Sequence, residues 1–313
     1  MIVRDRPSGL RLFFVLKGSI LSRIWIVLLV NIVLAVVVTA AQGDFFTFKM
    51  TLTAIPFTLL GLPLAIFFGF RNNAAYDRYW EGRKLWGQLI ADSRNLARQC
   101  QSLIQIPPSD HTPVGLTNIQ TRMIYRAIAY AHTLRHQLRD TPSTEGLSEM
   151  LQEDERQQML AERSKTNFLM NRMGADLGLC IKAGHIDACL AANIDKTLSG
   201  MATVGAGCER IKNTPIPFSY TLLLHRTAYL YCFLLPFGLV DSIGLMTPFV
   251  VALVAYTFFG LDALGDEIEE PFGKDENDLP LETLCHTIER NLRASLGESL
   301  NTPEPMPVNY CLK

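Results

Sequence analysis

The chain has 313 residues, of which 49% are apolar and 19% are charged, and its formal net charge is −1. A balance this close to neutral, without a continuous basic run, gives no support for binding to nucleic acid. The average composition is close to that of a soluble protein, so the distribution of charge along the chain carries more information than its mean.

Charged residues are nearly absent from three segments, at about residues 24–43, 53–70 and 245–261, and sparse in a fourth at about 218–240. Each segment holds roughly 17–23 residues, or about 26–34 Å as a helix, which is enough to cross a bilayer core of about 30 Å. No alternating strand pattern is present. The sequence therefore predicts an all-α membrane protein with four transmembrane helices and a helical cytoplasmic domain.

Basic residues cluster before the first apolar segment and directly after the second, whereas the connection between those segments carries only Lys49. The positive-inside rule therefore predicts a multi-pass protein of the cell inner (plasma) membrane with both termini in the cytoplasm. A cleaved signal peptide over residues 1–41 is the alternative for the first segment, since Val38-Thr39-Ala40 resembles a cleavage site. The basic residues are Arg4, Arg6, Arg11, Lys17, Arg23, Arg71, Arg78, Arg83 and Lys84.

This pattern divides the chain into five regions. They are a cytoplasmic lead over 1–23, helices one and two over 24–70, a cytoplasmic helical region over 71–217, helices three and four over 218–264, and an acidic segment and tail over 265–313. The second helix is predicted to continue to about residue 104, because apolar residues keep a 3–4 spacing there. Further helices are predicted over 115–139, 148–172, 174–184 and 186–200, with the fourth transmembrane helix ending near Asp262 and helix resuming over 263–299.

Leu62, Ile66 and Phe70 recur at a spacing of four in the second helix, so they occupy one stripe of its surface. If several copies of the helix surround an axis, this stripe becomes three stacked apolar rings. Narrow apolar rings gate ions by dewetting, because nothing in them replaces the hydration shell of an ion. The same stripe also fits residues that face lipid or a neighbouring helix, so the spacing alone leaves both interpretations open.

Three separate stretches resemble the bestrophin family in the form carried by its bacterial branch. They are GLPLAIFFGFRNNAAYDRYWEGRKLWGQLI from Gly61, the stretch at 215–220, and the acidic stretch at 266–278. The resemblance implies a homopentameric ion channel with one central pore and a large helical cytoplasmic vestibule. It implies that the stripe lines an apolar pore neck, and that a lower constriction lies between Leu177 and Ile181.

The resemblance leaves the permeant ion open. Bestrophins at large are anion channels, chloride above all, whereas the bacterial type resembles channels for monovalent cations such as sodium. Asp77 lies two turns below Phe70 on the same stripe, and five copies would form a ring of negative charge that concentrates cations at the inner mouth. The alternative is that Asp77 and Glu81 form ion pairs with arginines at subunit contacts, namely Arg78, Arg83 or Arg94.

The acidic stretch resembles the calcium clasp of eukaryotic bestrophins, with Glu267, Glu270, Asp275 and Asp278 at the matching positions. Calcium takes six to eight oxygen ligands. This chain departs from the pattern, because Glu270 replaces an amide and Lys274 interrupts the acidic run. The bacterial branch also resembles channels that do not depend on calcium. We therefore expect a solvated or salt-bridged turn here and no cofactor.

Several histidines are also candidates for special roles. His225 and Arg226 lie inside the third apolar segment, where ionisable side chains are costly and often functional. We expect structural pairing there, with Asp262 as a possible partner. His132 and His136 have an i, i+4 spacing that is compatible with a metal ion, but no third ligand is evident.

The chain contains no GxxxxGKS or GxxxxGKT phosphate-binding loop, no HExxH motif and no Ser/His/Asp arrangement, so neither a nucleotide-driven pump nor an enzyme is predicted. Its seven cysteines lack paired spacing and predict neither disulfides nor zinc. The expected function is a passive ion channel whose partners are further copies of the chain, the lipid bilayer and inorganic ions. A membrane carrier, which usually shows an inverted repeat, and a non-conducting scaffold are the alternatives.

Overall fold

The computed structural model describes residues 1–3, 9, 15, 17–42, 44–45, 48–49, 52–106, 115–142, 146–298, 306–308 and 310–312. The basic residues Arg4, Arg6 and Arg11 of the lead lie outside this part of the chain. The described residues are predominantly helical, as predicted, and the only paired strands among them form an antiparallel hairpin of two residues each. All seven cysteines are free thiols.

The elements follow one another in this order: α1 (Leu21–Ala40), β1 (Asp44–Phe45), β2 (Phe48–Lys49), α2 (Ile55–Leu103), α3 (Ile119–Leu138), α4 (Glu153–Ala161), α5 (Lys165–Lys182), α6 (Ala188–Asn213), α7 (Phe218–Ile243), α8 (Thr247–Glu269) and α9 (Leu281–Ser295). The chain divides into two compact units. The apolar unit comprises Arg4–Tyr79 and Pro215–Pro271, and the polar unit comprises Met1–Val3, Trp80–Thr214 and Phe272–Lys313. Helix α2 contributes residues to both.

Three helical stretches of the described chain are long and apolar enough to cross a membrane, namely Leu21–Ala40, Ile55–Leu103 and Phe218–Glu269. The third stretch is interrupted by a short 3-10 turn at Gly244–Met246, which divides it into α7 and α8. Gly244 has a φ of 51°, a left-handed value that glycine adopts without strain. The chain can therefore reverse direction at this point.

Helices α7 and α8 run antiparallel within the apolar unit. The ring of Tyr229 lies 4.7 Å from that of Phe259, and the ring of Tyr231 lies 5.3 Å from that of Phe258. Helix α1 packs along both of them. Leu64 and Phe68 of α2 complete one apolar core with residues of all three helices, which buries one face of α2 against its own chain.

Helix α2 is one uninterrupted helix of 49 residues, which confirms its predicted continuity. It contains Pro63, which removes one backbone donor, yet the helix continues on both sides of it. Gly61 has a packing role, because a Cβ there would lie 3.0 Å from the hydroxyl of Tyr231. The small residue therefore allows α2 and α7 to approach closely.

The polar unit is a bundle in which α3 packs against α5, α6 and α9. Buried ion pairs join three of its helices: Arg126 of α3 lies 2.7 Å from Glu155 of α4 and 2.6 Å from Asp176 of α5, and Arg122 lies 2.8 Å from the same Asp176. Asn118 caps the N-terminus of α3, because its side chain accepts hydrogen bonds from the backbone N–H groups of Gln120 and Thr121.

The predicted boundary between helices at residues 172–174 is wrong. Helix α5 runs through Gly174, and the break lies instead at residues 162–164, where Glu162 and Ser164 have extended backbone angles. A glycine inside a helix costs only about 1 kcal/mol relative to alanine. Burial of Met173 and Leu177 on either side compensates for that cost. No glycine or proline marks the true break, and its one local sign is Ser164, a residue type that is favoured at the start of helices.

Helix α6 is longer than predicted, because it continues past residue 200 to Asn213. Its glycines allow close packing rather than ending the helix. A Cβ at Gly205 would lie 2.3 Å from the hydroxyl oxygen of Tyr130, which donates a hydrogen bond to the backbone oxygen of Met201 at 3.0 Å. Gly205 therefore makes room for a buried side chain of α3.

Replacing Gly205 with alanine is expected to lower the thermal midpoint of the solubilised protein by several degrees. The new methyl group must displace the rigid ring of Tyr130, and overpacking of this kind costs about 1–3 kcal/mol. Gly178 of α5 is the matched control, since a Cβ there meets nothing within 4 Å of its own chain. Equal midpoints for the two alanine variants in a thermal melt would contradict this packing role.

The end of the chain also differs from the prediction. Helix was predicted over 263–299, but it is interrupted: α8 continues through Asp262 only to Glu269, and residues 270–280 form a turn instead of helix. Helix α9 ends at Ser295 rather than at about residue 299. The acidic residues 262–269 remain helical because ion pairs with basic residues of other helices satisfy them.

Candidate pore and charged sites

The stripe of Leu62, Ile66 and Phe70 lies on the side of α2 that its own chain leaves uncovered. The exposed fractions of these residues are 68%, 48% and 61%. The buried face of the same segment carries Leu64 and Phe68. Ile66 is two residues from each of them, which places it about 160–200° around the helix axis from the buried face.

Exposure alone does not distinguish a pore from a lipid-facing surface, because α2 has other exposed apolar residues. Leu60, for example, is 52% exposed but lies about 120° around the axis from Ile66. What distinguishes the stripe is its direction. It is the part of the helix farthest from the chain's own core, and it is therefore available to a shared axis in an assembly.

Asp77 continues this stripe and is exposed. Within the described part of the chain it makes no hydrogen bond or ion pair. Its neighbours on α2 are engaged elsewhere: Glu81 pairs with Arg210, and the Nε of Arg78 donates to the backbone oxygen of Glu269 at 3.1 Å. Glu81 therefore pairs with Arg210 rather than with Arg78, Arg83 or Arg94, and the expected alternative of ion pairs at subunit contacts stays a prediction for Asp77.

The two residues named for a lower constriction differ in their surroundings. Leu177 is only 4% exposed and packs inside the polar unit, whereas Ile181 is 41% exposed. Both belong to α5, which ends at Lys182 and is followed by Gly184 with a φ of 71°. The side chain of Leu177 is enclosed by its own chain, so of these two residues only Ile181 presents an open apolar surface.

The four residues at the positions of the calcium clasp are distributed over both units. Glu267 is buried on α8 and lies 3.9 Å from the Nε of Arg23, and Glu270 is exposed just after the same helix. In the polar unit, Asp278 accepts a hydrogen bond from the backbone N–H of Asp275 at 2.7 Å. Among the described residues, no group of three or more His, Cys, Asp or Glu side chains is arranged to hold a metal ion.

A cavity of about 460 Å³ adjoins Asp275 and Asp278 in the polar unit. Its walls carry cationic side chains as well as carboxylates, because Arg139 and Lys274 also line it. Such mixed charge weakens the attraction for a calcium ion, since the chain's own cations already balance the acids.

Asp262 has partners on two other helices of the apolar unit. Its Oδ2 lies 2.6 Å from Nδ1 of His225, and its Oδ1 accepts a hydrogen bond from Nη1 of Arg71 at 2.9 Å. Asp262, expected as a possible partner at this position, therefore contacts His225 and not the neighbouring Arg226. Arg226 is exposed and has no such partner in the described chain. From the sequence, Arg71 was interpreted only as one of the basic residues that set the membrane orientation. Its position directly after Phe70 could have indicated a buried ion pair.

His132 and His136 do not converge on one site. His136 places Nδ1 2.8 Å from the hydroxyl of Thr141, whereas Nε2 of His132 lies 3.3 Å from Oε2 of Glu289 on α9. His286, also on α9, places Nδ1 3.8 Å from the same carboxylate oxygen. The result is a cluster of His132, His286 and Glu289 that joins α3 to α9.

Acidification is expected to weaken this junction. Burial, reinforced by the neighbouring His132, lowers the pKa of His286 below its usual 6.5, and the hydrogen bond with His132 lowers the pKa of Glu289 below its usual 4.5. Both groups bind protons more weakly in the folded protein than in the unfolded chain. Their contribution to the free energy of unfolding is therefore fully present above about pH 6.5. It declines as the pH falls below that value and His286 takes up a proton, and it declines further when Glu289 is protonated at lower pH.

The measurement is the thermal midpoint of the solubilised protein at about pH 7.5 and about pH 5. The midpoint should fall by about 2–4 °C, and His286→Gln should remove part of that fall. His185→Gln is the control, because His185 lies outside the cluster. An equal fall in both variants would contradict this origin of the acid sensitivity.

Known proteins are similar to this chain in both sequence and fold. The family model described as Bacterial/Fungal Bestrophin protein matches residues 1–294. Voltage-dependent anion channel-forming protein YneE of Salmonella typhimurium is 42% identical over 292 residues, 93% of each chain. Voltage-dependent anion channel-forming protein mll4386 of Mesorhizobium japonicum is 41% identical over 307 residues, 98% of this chain and 95% of the relative.

A crystal structure of a bacterial bestrophin homologue from Klebsiella pneumoniae is similar to this chain with a TM-score of 0.81 and 39% identity, covering 87% of this chain and 98% of that chain. The family match spans nearly the whole sequence, and the similar structure extends over both units. The chain belongs to the bacterial and fungal bestrophin family.

Proposed function

We propose that five copies of this chain form a passive ion channel in which α2 lines a central pore. The observation that carries the proposal is the direction of the Leu62–Ile66–Phe70 stripe, which faces away from the chain's own core. The names of the relatives, which describe channel formation, support it. The number five comes from the resemblance to bestrophins.

In this proposal the stripe forms a hydrophobic neck. Successive residues of the stripe are four positions apart, so the rings of Leu62, Ile66 and Phe70 are spaced by about 6 Å and together span about 12 Å. An ion must cross that distance without polar groups to replace its hydration water. The neck therefore closes the pore when it is dry and conducts when it is wetted.

The membrane topology belongs to the same proposal. We infer four crossings, made by α1, the apolar part of α2, α7 and α8, because α7 and α8 are antiparallel helices of 26 and 23 residues. Basic residues after the second apolar segment favour an inner-membrane orientation with both termini in the cytoplasm. The polar unit then forms the cytoplasmic vestibule, and Ile181 rather than Leu177 forms its lower constriction.

For the permeant ion we propose monovalent cations, because Asp77, which has no partner among the residues that the structure describes, gives five negative charges at the inner mouth. The second candidate is an anion, which the printed names of the relatives favour. The reversal potential under a salt gradient distinguishes the two, because its sign depends on the charge of the permeant ion.

Calcium is not required for conduction in this proposal. Glu267 is close to Arg23, Asp278 accepts the backbone N–H of Asp275, and the walls of the adjoining cavity carry two cations. Open probability should therefore stay constant between calcium-free solution and about 1 mM calcium, a range that covers weak calcium sites. A reproducible calcium dependence, measured with magnesium as the control, would contradict this expectation.

Reconstitution of the purified protein into planar bilayers tests the channel directly. A channel gives unitary current steps. A carrier gives saturable flux without such steps, and a non-conducting scaffold gives neither, so the three functions are separated by one preparation.

A further inference from the structure

Arg71 directly follows Phe70 on α2, and its side chain is completely buried in the apolar unit. Its Nη1 donates to Oδ1 of Asp262 at 2.9 Å and to the backbone oxygen of Asp262 at 3.2 Å. Its Nη2 pairs with Asp266 and lies 3.8 Å from Glu269. One arginine of α2 therefore contacts three carboxylates along α8.

The contact between the two helices is close as well as charged. Asn72 donates from Nδ2 to the backbone oxygen of Leu261 at 3.1 Å. A Cβ at Gly265 would lie 2.5 Å from Oδ1 of Asn72 and 3.1 Å from Nη1 of Arg71. Glycine is therefore the residue that leaves space for the guanidinium between the helices.

This end of the neck is held by a charged contact in addition to apolar packing. Apolar packing, which has little directional preference, holds Phe57 near the start of α2 and both Leu64 and Phe68 along the neck. A guanidinium that binds carboxylates through a planar fork is directional, so it fixes the angle of approach as well as the distance. Rotation of α2 at Arg71 would break these bonds, and the same rotation would move Phe70.

The carboxylate that receives the guanidinium is itself oriented. Asp262 uses its second oxygen to contact His225 on α7 at 2.6 Å. The network therefore ties α2 to α8 and, through Asp262, to α7. A side chain with both oxygens engaged has little freedom to follow a rotating Arg71.

We propose that Arg71 is a positioning residue of the pore: its ion pairs with Asp262 and Asp266 fix the rotation of α2 and hold Phe70 in the innermost ring of the neck. This inference rests on the proposed function, because it requires Phe70 to line the pore. Arg71 itself does not touch the permeating ion. It acts through the neighbouring aromatic ring.

The test is a double-mutant cycle in planar bilayers, with open probability as the measured quantity. Arg71→Gln is compared in the parent channel and in the Phe70→Ala channel. In the parent, Arg71→Gln should raise open probability about tenfold, because a Phe70 that is no longer held leaves the ring incomplete for part of the time. In the Phe70→Ala channel the same change should have less than about a twofold effect.

Arg226→Gln is the matched control, since it removes an exposed arginine of α7 that lies outside this network, and it should leave open probability unchanged. If Arg71→Gln does not assemble, Asp266→Asn replaces it, because Asp266 is half-exposed and its loss leaves Arg71 paired with Asp262. Its effect should be about threefold and should likewise disappear in the Phe70→Ala channel.

Effects of equal size in both backgrounds, or no effect of either variant in the parent, would overturn the positioning role while leaving the neck intact. If Phe70→Ala by itself leaves open probability unchanged, the neck of the proposed function fails, and the inference about Arg71 fails with it. The two failures are therefore distinguishable in one experiment.

Discussion

Replacing Ile66 with alanine is expected to raise the open probability of the reconstituted channel by nearly tenfold. The substitution removes three carbons from each copy, or about fifteen from the ring, at about 0.8 kcal/mol for each buried methylene. These carbons together represent about 12 kcal/mol. If only a tenth of that free energy opposes wetting, the equilibrium between the dry and the wetted neck shifts by nearly tenfold toward the wetted state. Single-channel recording measures the change directly.

Leu60→Ala is the matched control for this prediction. Leu60 is as exposed as Ile66 and is also aliphatic, but it lies on another side of α2. The account predicts a parent-like open probability for Leu60→Ala. A similar increase in both variants would indicate a general loss of helix packing, and no increase for Ile66→Ala would contradict the hydrophobic neck.

Replacing Asp77 with asparagine is expected to move the reversal potential toward zero in a tenfold gradient of sodium chloride. The current of a channel that is perfectly selective for one monovalent ion would reverse at about 60 mV in magnitude. A tenfold ratio of ion concentrations is worth about 1.4 kcal/mol, and a potential of 100 mV is worth about 2.3 kcal/mol per charge. Neutralisation of five charges at the inner mouth should remove a substantial part of the cation preference, since no partner among the described residues compensates Asp77.

Glu162→Gln is the control for this measurement, because it removes a carboxylate from the exposed loop between α4 and α5. Its reversal potential should equal that of the parent channel. If Asp77→Asn also matches the parent, Asp77 has a structural role. If the parent reverses at the potential of chloride, the anion candidate replaces the cation candidate, and the neck is unaffected.

The long helix α2 and the apolar helices were predictable from the sequence because their determinants are local. A segment of 18 residues without charge, followed by apolar residues at a spacing of 3–4, specifies a helix whatever it packs against. The same local rule placed Leu62, Ile66 and Phe70 on one stripe. Whether that stripe faces the chain's own core required the fold, because the answer depends on the position of Leu64 and Phe68.

Other features depend on contacts between distant residues and were not predictable. Gly174 and Gly205 look like helix breakers in sequence. Helix α5 continues through Gly174 because Met173 and Leu177 are buried on either side of it, and α6 continues through Gly205 because Tyr130 occupies the space that this glycine leaves. The burial of Leu177 depends on its position on α5 in the assembled bundle. The network of Arg71 joins residues about 190 positions apart, and sequence spacing does not reveal such a pair.

The central claim is that the Leu62, Ile66 and Phe70 side chains of identical subunits surround one shared axis. Single-particle electron microscopy of the assembled protein in lipid nanodiscs tests this claim most directly. The account predicts a ring of five subunits in which these three side chains point toward the axis and form its narrowest apolar passage. An assembly in which they point into lipid, or into a contact away from the axis, would contradict the account.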